Sequence, residues 1–215
     1  MIVVRVDEAT LGADGTTLFA DLAFLLERGH RPTVVAPGSD AARTIVRMMN
    51  RSSDVAVGVS GADAGTLPAA GGTVGAVQTR LLRTLLNAGY IPVVEPLALG
   101  IFGSDIAVAA DEVASALARA LEAKCALFFH DSGGIVDSAS QQVIDELTPA
   151  EALALADDET LPADLRTAIR AAALGVRGGV GAAQILDGRI AHASIVELLT
   201  ARHLGTRVKG TVFLQ

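Results

Sequence analysis

The sequence predicts an α/β domain with a mainly parallel sheet and helices on both of its faces. Short apolar runs alternate with amphipathic stretches of about ten or more residues, which is the pattern of repeated βαβ units. Right-handed crossovers between parallel strands place the helices on both faces. Ala, Val and Leu supply most of the hydrophobic residues, so the predicted core is aliphatic. Since no Pro- or Ser-rich linker interrupts the pattern, we expect residues 1–215 to form a single domain.

Each predicted strand is a short run of apolar, often β-branched residues. The first run, IVVRV, is apolar except for Arg5. In chain order the predicted strands are Ile2–Val6, Pro32–Ala36, Asp54–Val59, Tyr90–Pro96, Cys125–Phe129 and Ala182–Leu186, followed by a last segment, Gly205–Leu214.

The predicted helices combine apolar residues at helical spacing with capping and stop signals. The first can be capped by Thr16 or Thr17 and is stopped by Gly29, and Ser39 is placed to cap the second. The further predicted helices are Ser39–Asn50, Val77–Asn87, Asp105–Ala123, Pro149–Ala156, Pro162–Ala173 and Ala191–Arg202.

Composition argues against several classes of function. A formal net charge of −7 argues against a nucleic-acid partner, because phosphate binding needs clustered Lys and Arg. No apolar segment reaches the roughly 20 residues of a membrane span, and the first residues have no basic leader. We therefore expect a cytoplasmic protein with no membrane partner. Cys125 is the single cysteine, which excludes an intrachain disulfide and predicts a buried, inert thiol.

The histidines near predicted helix ends give no sign of a metal centre. His30, His192 and His203 have no partner at metal-ligand spacing. We expect structural roles for them and no metal site.

Four loops follow predicted strands, and ligands of parallel sheets bind beyond the carboxyl ends of the strands. These loops are Asp7–Gly15, Pro37–Ser39, Ser60–Gly65 and His130–Gly134, and each carries small or acidic residues.

Several residues at these strand ends have two interpretations. Arg5 either contacts a phosphate or reaches solvent from the end of its strand. Ser60, Gly61 and Asp63 suit an anion, although the glycine could serve only to permit a turn.

His130, Asp131 and Ser132 contain the residue types of a hydrolase triad. We expect no relay among them, because adjacent residues on a strand point to opposite faces. The segment also lacks the Gly-x-Ser-x-Gly pattern of a nucleophile on a strained turn.

Three longer segments carry a family resemblance. They are VGVSGADAG (57–65), the stretch from Gly103 to Asp137 with its Ala-Ala-Asp helix start, and QILDGRIAHASIVELLTARHLGTRV (184–208). They resemble, in order, the Gly-Ser-Gly-Lys-Asp-Gly segment, the Asn-Ala-Asp helix with the strand-end turn that follows, and the closing segment of the amino-acid kinase family. Within that family the chain is most similar to the acetylglutamate kinases.

The resemblance implies a three-layer αβα sandwich that transfers the γ-phosphoryl group of Mg-ATP to a carboxylate by positioning and charge neutralisation. The residues at matching positions are Arg5 and Asp111 for catalysis, Asp131 and Gly134 for nucleotide binding, and Gly38, Ser60, Gly61 and Asp63 for substrate binding. Asp111 and Asp131 also have plain structural interpretations, as a first-turn helix acid and as a turn cap.

The chain departs from the family pattern at its phosphate loops. Where the family has Lys-x-Gly-Gly, this chain has Arg5, Val6, Asp7 and Glu8, so two acids replace two glycines. Where the family has His-Gly-Gly-Gly-Pro, only Gly38 remains. The segment that carries the family's lid hairpin is missing after the second predicted helix.

Catalytic lysines are also missing. The second lysine of the family falls near residues 167–170, where Arg170, or Arg166 just before it, could supply charge, but a guanidinium is a broad fork rather than a compact ammonium. The chain has two lysines in all, Lys124 and Lys209.

Two functions therefore remain open. The favoured hypothesis is a non-catalytic or catalytically impaired member that binds a small-molecule ligand, an amino-acid derivative or a nucleotide, or a partner subunit. The alternative is a divergent kinase that phosphorylates the carboxylate of an N-acylated amino acid such as N-acetylglutamate, with arginines in place of the lysines. A homodimer is expected from the resemblance.

Overall fold

An eight-stranded sheet forms the centre of the computed structural model, which describes residues 1–12, 16–138 and 140–210. Two short two-stranded hairpins lie outside this sheet. The strands are β1 (Ile2–Arg5), β2 (Pro32–Val35), β3 (Ala56–Val59), β4 (Ala69–Ala70), β5 (Thr73–Val74), β6 (Ile91–Val94), β7 (Leu97–Leu99), β8 (Asp105–Ala107), β9 (Cys125–Phe129), β10 (Glu146–Leu147), β11 (Ala182–Leu186) and β12 (Thr206–Lys209).

Eight α-helices lie in the described part of the chain. They are α1 (Glu8–Gly12), α2 (Thr16–Glu27), α3 (Ser39–Asn50), α4 (Arg80–Asn87), α5 (Ala110–Ala120), α6 (Pro149–Ala156), α7 (Ala163–Arg177) and α8 (Ala193–Leu199).

The central sheet is mainly parallel, as predicted. Its strand order is β10-β12-β11-β9-β1-β2-β6-β3. All pairs from β11 to β3 are parallel, and β12 runs antiparallel to β11. The carboxyl ends of β9, β1 and β2 therefore meet at one edge of the sheet.

Two apolar layers cover the two faces of the sheet, because successive strand residues point to opposite sides. Val3 of β1 packs with the layer of α4, α5, α6 and α7, and Leu117 and Ile169 lie in that layer. Val4 packs with the layer of α2, α3 and α8, to which Leu22 contributes. The predicted three-layer αβα sandwich is confirmed.

The largest error in the predicted secondary structure is the helix expected from Asp105 to Ala123. Residues 105–107 form β8, which pairs antiparallel with β7, and the helix starts only at Ala110. Gly103 has a φ of +80° in the turn that joins the two strands. Residues 105–107 form a strand because they pair with β7, and this pairing cannot be read from the local sequence pattern.

Other helix ends were also misplaced. The helix predicted from Val77 begins at Arg80, and the one predicted from Ala191 to Arg202 covers Ala193–Leu199. Ser39 does not cap α3, since Gly38 occupies the N-cap position and no side chain bonds there. Residues 211–214 of the last predicted segment lie outside the described residues.

Cys125 is free and buried, as predicted, and burial raises the pKa of its thiol to about 12. No helix in the described part of the chain is both long and apolar enough to cross a membrane.

Candidate functional site

A cavity of about 330 Å³ lies at the carboxyl edge of the sheet, beyond β9, β1 and β2. Three of the four predicted loops converge on it, since Asp7, Pro37 and His130 all line it. The fourth loop, Ser60–Gly65, follows β3, which β6 separates from β2. We call this cavity the strand-end cleft.

Arg5 and Asp111, the two residues predicted to be catalytic, form an ion pair beside the strand-end cleft. Nε of Arg5 lies 2.7 Å from Oδ1 of Asp111, and Nη2 donates to Oδ2 at 3.3 Å. Nη1 of Arg5 donates to the carbonyl of Phe129 at 3.1 Å. The side chains are only 13% and 7% exposed, so most of the guanidinium is directed at its own protein rather than at the cleft.

Burial is the dominant influence on Asp111. It raises the pKa of this carboxyl above its ordinary value, and the neighbouring Arg5 guanidinium opposes the rise. The carboxylate comes from the first turn of α5, where it also faces the positive end of the helix.

Carboxylates dominate the rest of the cleft. Among the described residues that line it, Arg5 is the sole arginine or lysine, whereas Asp7, Glu8, Asp131 and Asp164 each add an acid. Asp7 caps the short helix α1 by accepting the N–H of Thr10 at 2.9 Å. Acidic side chains repel phosphate, whereas a kinase site attracts phosphate with cationic groups and hydrogen-bond donors.

His130, Asp131 and Ser132 lie closer together than the sequence predicted. Nδ1 of His130 is 3.0 Å from Oγ of Ser132 and 3.2 Å from Oδ1 of Asp131. The argument that these residues face apart was wrong, because the chain turns directly after β9 and Gly133 donates its N–H to the His130 carbonyl. The backbone N–H of Ser132 also points at Nδ1, which makes this a local turn motif.

Gly134, predicted to bind nucleotide, has a packing explanation. Its φ is +139°, and a Cβ here would lie 2.8 Å from a methyl of Val143 and 3.1 Å from Cα of Gly205. Glycine is thus required by neighbouring protein atoms. The nucleotide-binding assignments of Gly134 and of the exposed Asp131 stay predictions.

The predicted substrate residues make local contacts. Oδ2 of Asp63 accepts the N–H of Ser60 at 2.8 Å, and Gly61 packs against the carbonyl of Leu97 so tightly that a side chain would not fit. Gly38 has an extended backbone that any residue adopts, and no atom approaches the place of its missing Cβ. Substrate binding by these residues stays a prediction.

Neither lysine can reach the strand-end cleft. Lys124 precedes β9, and Lys209 pairs with Ala182 at the start of β11, so both lie at the amino edge of the sheet. Strands of five residues span about 16 Å, which separates that edge from the cleft.

Arg166 and Arg170 could supply charge in place of the second catalytic lysine, and that role stays a prediction. Arg170 forms an ion pair with Asp157 at 2.6 Å and donates to the carbonyl of Ala156. Nε of Arg166 is buried and has no hydrogen-bond partner among the described residues.

Sequence reasoning missed Asp164 and Arg189 at this site. Asp164 lies in the first turn of α7. Because α7 leads into the parallel strand β11, the first turn of this helix must lie at the carboxyl edge of the sheet, and that topology was the available signal. Arg189 donates to the carbonyl of Asp131 at 2.6 Å while it is paired with Asp187. Hydrogen bonds from Arg189 lower the pKa of Asp187 below its ordinary value.

The described residues contain no group of three or more His, Cys, Asp or Glu side chains that could hold a metal ion.

The mainly parallel sheet between two helical layers, with a cleft beyond the carboxyl ends of its strands, defines an open α/β fold of the ligand-binding type. The sequence model of the amino acid kinase family matches residues 41–187, and the chain belongs to that family. Within it, the chain is similar to curated acetylglutamate kinases. It is 36% identical to that of Campylobacter curvus over 177 residues, which cover 78% of this chain and 63% of the relative. It is 38% identical to that of Rhizorhabdus wittichii over 132 residues, which cover 61% of this chain and 44% of the relative.

Solved structures give the same fold at lower identity. The N-acetylglutamate synthase of Neisseria gonorrhoeae, in complex with coenzyme A and L-arginine, has a TM-score of 0.78 at 21% identity and covers 99% of this chain and 62% of its own. The carbamate kinase of Giardia lamblia, bound to citric acid, has a TM-score of 0.70 at 12% identity and covers 98% of both chains. The chain spans less than two thirds of the length of the curated relatives quoted above.

Proposed function

We propose that this chain is a non-catalytic member of its family, which keeps the fold to bind a small-molecule ligand or a partner subunit. One observation carries the proposal. The Arg5 guanidinium, which stands where the family's first lysine falls, is paired with the buried Asp111 and is 13% exposed. It therefore offers little charge to a phosphate in the strand-end cleft.

The acidic lining supports the same conclusion. The β- and γ-phosphates of ATP carry several negative charges, and Asp7, Glu8, Asp131 and Asp164 would repel them. A cationic clamp is worth about 10³-fold or more in phosphoryl transfer, and the two lysines of this chain lie at the other edge of the sheet.

The alternative is a divergent kinase that phosphorylates the carboxylate of N-acetylglutamate or a related N-acylated amino acid with Mg-ATP. It is favoured by the position of Arg5 at the end of β1 and by Arg189, which reaches the rim of the cleft through Asp131. A nucleotide would have to draw one of these arginines away from its carboxylate.

Calorimetry with Mg-ATP and N-acetylglutamate, together with a hydroxamate assay for an acyl phosphate, separates the two functions. The proposal expects neither heat of Mg-ATP binding nor product. Binding together with product would overturn it and establish the kinase. Binding of Mg-ATP without product would indicate a non-catalytic protein that binds the nucleotide.

The homodimer expected from the family resemblance is a separate proposal. Sedimentation velocity over a range of protein concentrations tests it, and a single species with the mass of one 21.9 kDa chain at every concentration would exclude it.

A further inference from the structure

A second cavity, of about 580 Å³, lies between α2, α3 and the loop that leads into α8. None of the residues identified in its lining also lines the strand-end cleft, and none of them is an acid. Its lining includes Thr17, Phe19, Met48, Arg51, Ser52 and His192. We call this cavity the helix-side cavity. Its volume falls within the range of about 300–1,000 Å³ that is typical of small-molecule sites.

His192 is held at the helix-side cavity by a buried carboxylate. Nδ1 lies 2.8 Å from Oδ1 of Asp21, which belongs to α2 and is 3% exposed. The other oxygen of Asp21 accepts the hydroxyl of the buried Ser194 at 3.1 Å. With Nδ1 engaged, Nε2 is the ring nitrogen left for a ligand, and no described residue bonds to it.

The backbone of His192 has a conformation that is uncommon for a residue with a side chain. Its φ of +60° and ψ of +25° place a residue with a Cβ in the left-handed region. The hydrogen bond with Asp21, 171 positions away in sequence, holds the side chain of this residue in place.

Arg51 supplies a cation to the same cavity. It follows α3 as its C-cap residue, its side chain is exposed, and within the described chain it has neither an ion pair nor a side-chain hydrogen bond. Thr17 and Ser52 add hydroxyls, and Phe19 and Met48 add apolar surface. In a chain with a net charge of −7, a cavity that presents a guanidinium and an imidazole is suited to an anion.

We propose that the helix-side cavity binds a small organic anion. Arg51 and Nε2 of His192 contact its carboxylate or phosphate group, and its apolar part packs on Phe19 and Met48. Asp21 is a positioning residue, since it fixes the ring without reaching the ligand. This site is independent of the function proposed for the strand-end cleft.

Histidine NMR tests the proposal directly, because the chain has four histidines. Ring signals are followed at about pH 6, below the ordinary histidine pKa of about 6.5, during titration with phenyl phosphate, phenylacetate and inorganic phosphate. We expect the His192 signals to move and those of His30 and His203 to stay. The phenyl compounds should bind more tightly than inorganic phosphate because of the apolar wall. The stronger of the two phenyl compounds identifies the anionic group that the site prefers.

Matched variants distinguish a site from general charge attraction. Arg51→Gln should weaken binding by about tenfold or more, since charge-assisted bonds dominate anion affinity. Arg43→Gln removes the same charge from α3 outside the cavity, and its affinity should equal that of the wild type. Both arginines are exposed, so neither substitution threatens folding.

Asp21→Asn tests the positioning role. This variant keeps Arg51. It should weaken phenyl phosphate binding and change the ¹⁵N shifts that report the His192 tautomer. Three results would overturn the proposal: no movement of the His192 signals with any probe, equal weakening by Arg43→Gln and Arg51→Gln, or normal binding by Asp21→Asn with an altered tautomer. Mg-ATP binding at the strand-end cleft would leave these outcomes unaffected.

Discussion

The strand-end cleft and the helix-side cavity are both backed by a contact between a basic side chain and a buried carboxylate, but the basic partner is buried in one and exposed in the other. At the cleft, Arg5 turns inward to Asp111 and is 13% exposed, while separate acids line the opening. At the cavity, Asp21 is hidden at 3% and His192 is 62% exposed. The carboxylate is buried in both pairs, so the exposure of the basic partner decides whether that partner is available to a ligand.

The Arg5 guanidinium is directed into the packing between β1 and α5, whereas a basic side chain at the surface of a cavity is available to a ligand.

Removal of Asp111 should have the largest effect. Asp111→Ala leaves the Arg5 guanidinium buried without its carboxylate, so we expect the free energy of unfolding in urea to fall by about 3–5 kcal/mol. Replacing both partners with apolar residues, Arg5→Met with Asp111→Leu, should recover most of that loss. A loss below about 1 kcal/mol in the single variant would mean that Arg5 is solvated and available to ligands, which would remove the contrast between the two sites.

Gly134→Ala tests whether the glycine of the strand-end turn serves packing. The positive φ and the contacts with Val143 and Gly205 predict a loss of about 1–3 kcal/mol of stability, measured by urea denaturation. The control is Gly38→Ala, at an extended position with open space, where we expect a change within about 0.5 kcal/mol. Equal stability of both variants would argue that Gly134 was kept for a ligand.

Removal of acids from the cleft should increase its affinity for phosphate. Asp7→Asn with Glu8→Gln keeps the size of both side chains and removes two negative charges, so we expect Mg-ATP to bind about tenfold more tightly or more. Calorimetry measures the change. The control, Glu27→Gln with Glu122→Gln, removes the same charge from exposed positions that end α2 and follow α5. A similar gain in the control would assign the effect to net charge rather than to the cleft.

The smallest effect concerns Asp187, whose partner Arg189 links the loop before His192 to the rim of the cleft. Because the pKa of Asp187 is lowered in the fold, its contribution to stability is complete above its ordinary value of 3.8 and is lost as the pH falls through the folded pKa. Asp187→Asn should therefore lose slightly less stability than the wild type on acidification below about pH 4. If the free energy of unfolding falls equally with pH in the two proteins, the Asp187–Arg189 pair adds nothing to stability.

Much of the architecture was predictable because it depends on local patterns. Alternating strands and helices, the parallel sheet and the position of the loops at its carboxyl edge follow from apolar periodicity and from topology. The error at Asp105–Ala107 has a simple reason: those residues pair with Leu97–Leu99, and short hairpin strands are decided by their partner.

Within the candidate site, the sequence alone determined which residue types stand at the strand ends and that the phosphate-binding lysines and glycines are absent. The tertiary structure decided what those residues do. Arg5 and Asp111 meet across 106 positions, and His130 contacts Ser132 only because the chain turns after β9. Whether a basic side chain is available to a ligand depends on how deeply it is buried beside its carboxylate, and burial is set by packing between distant segments.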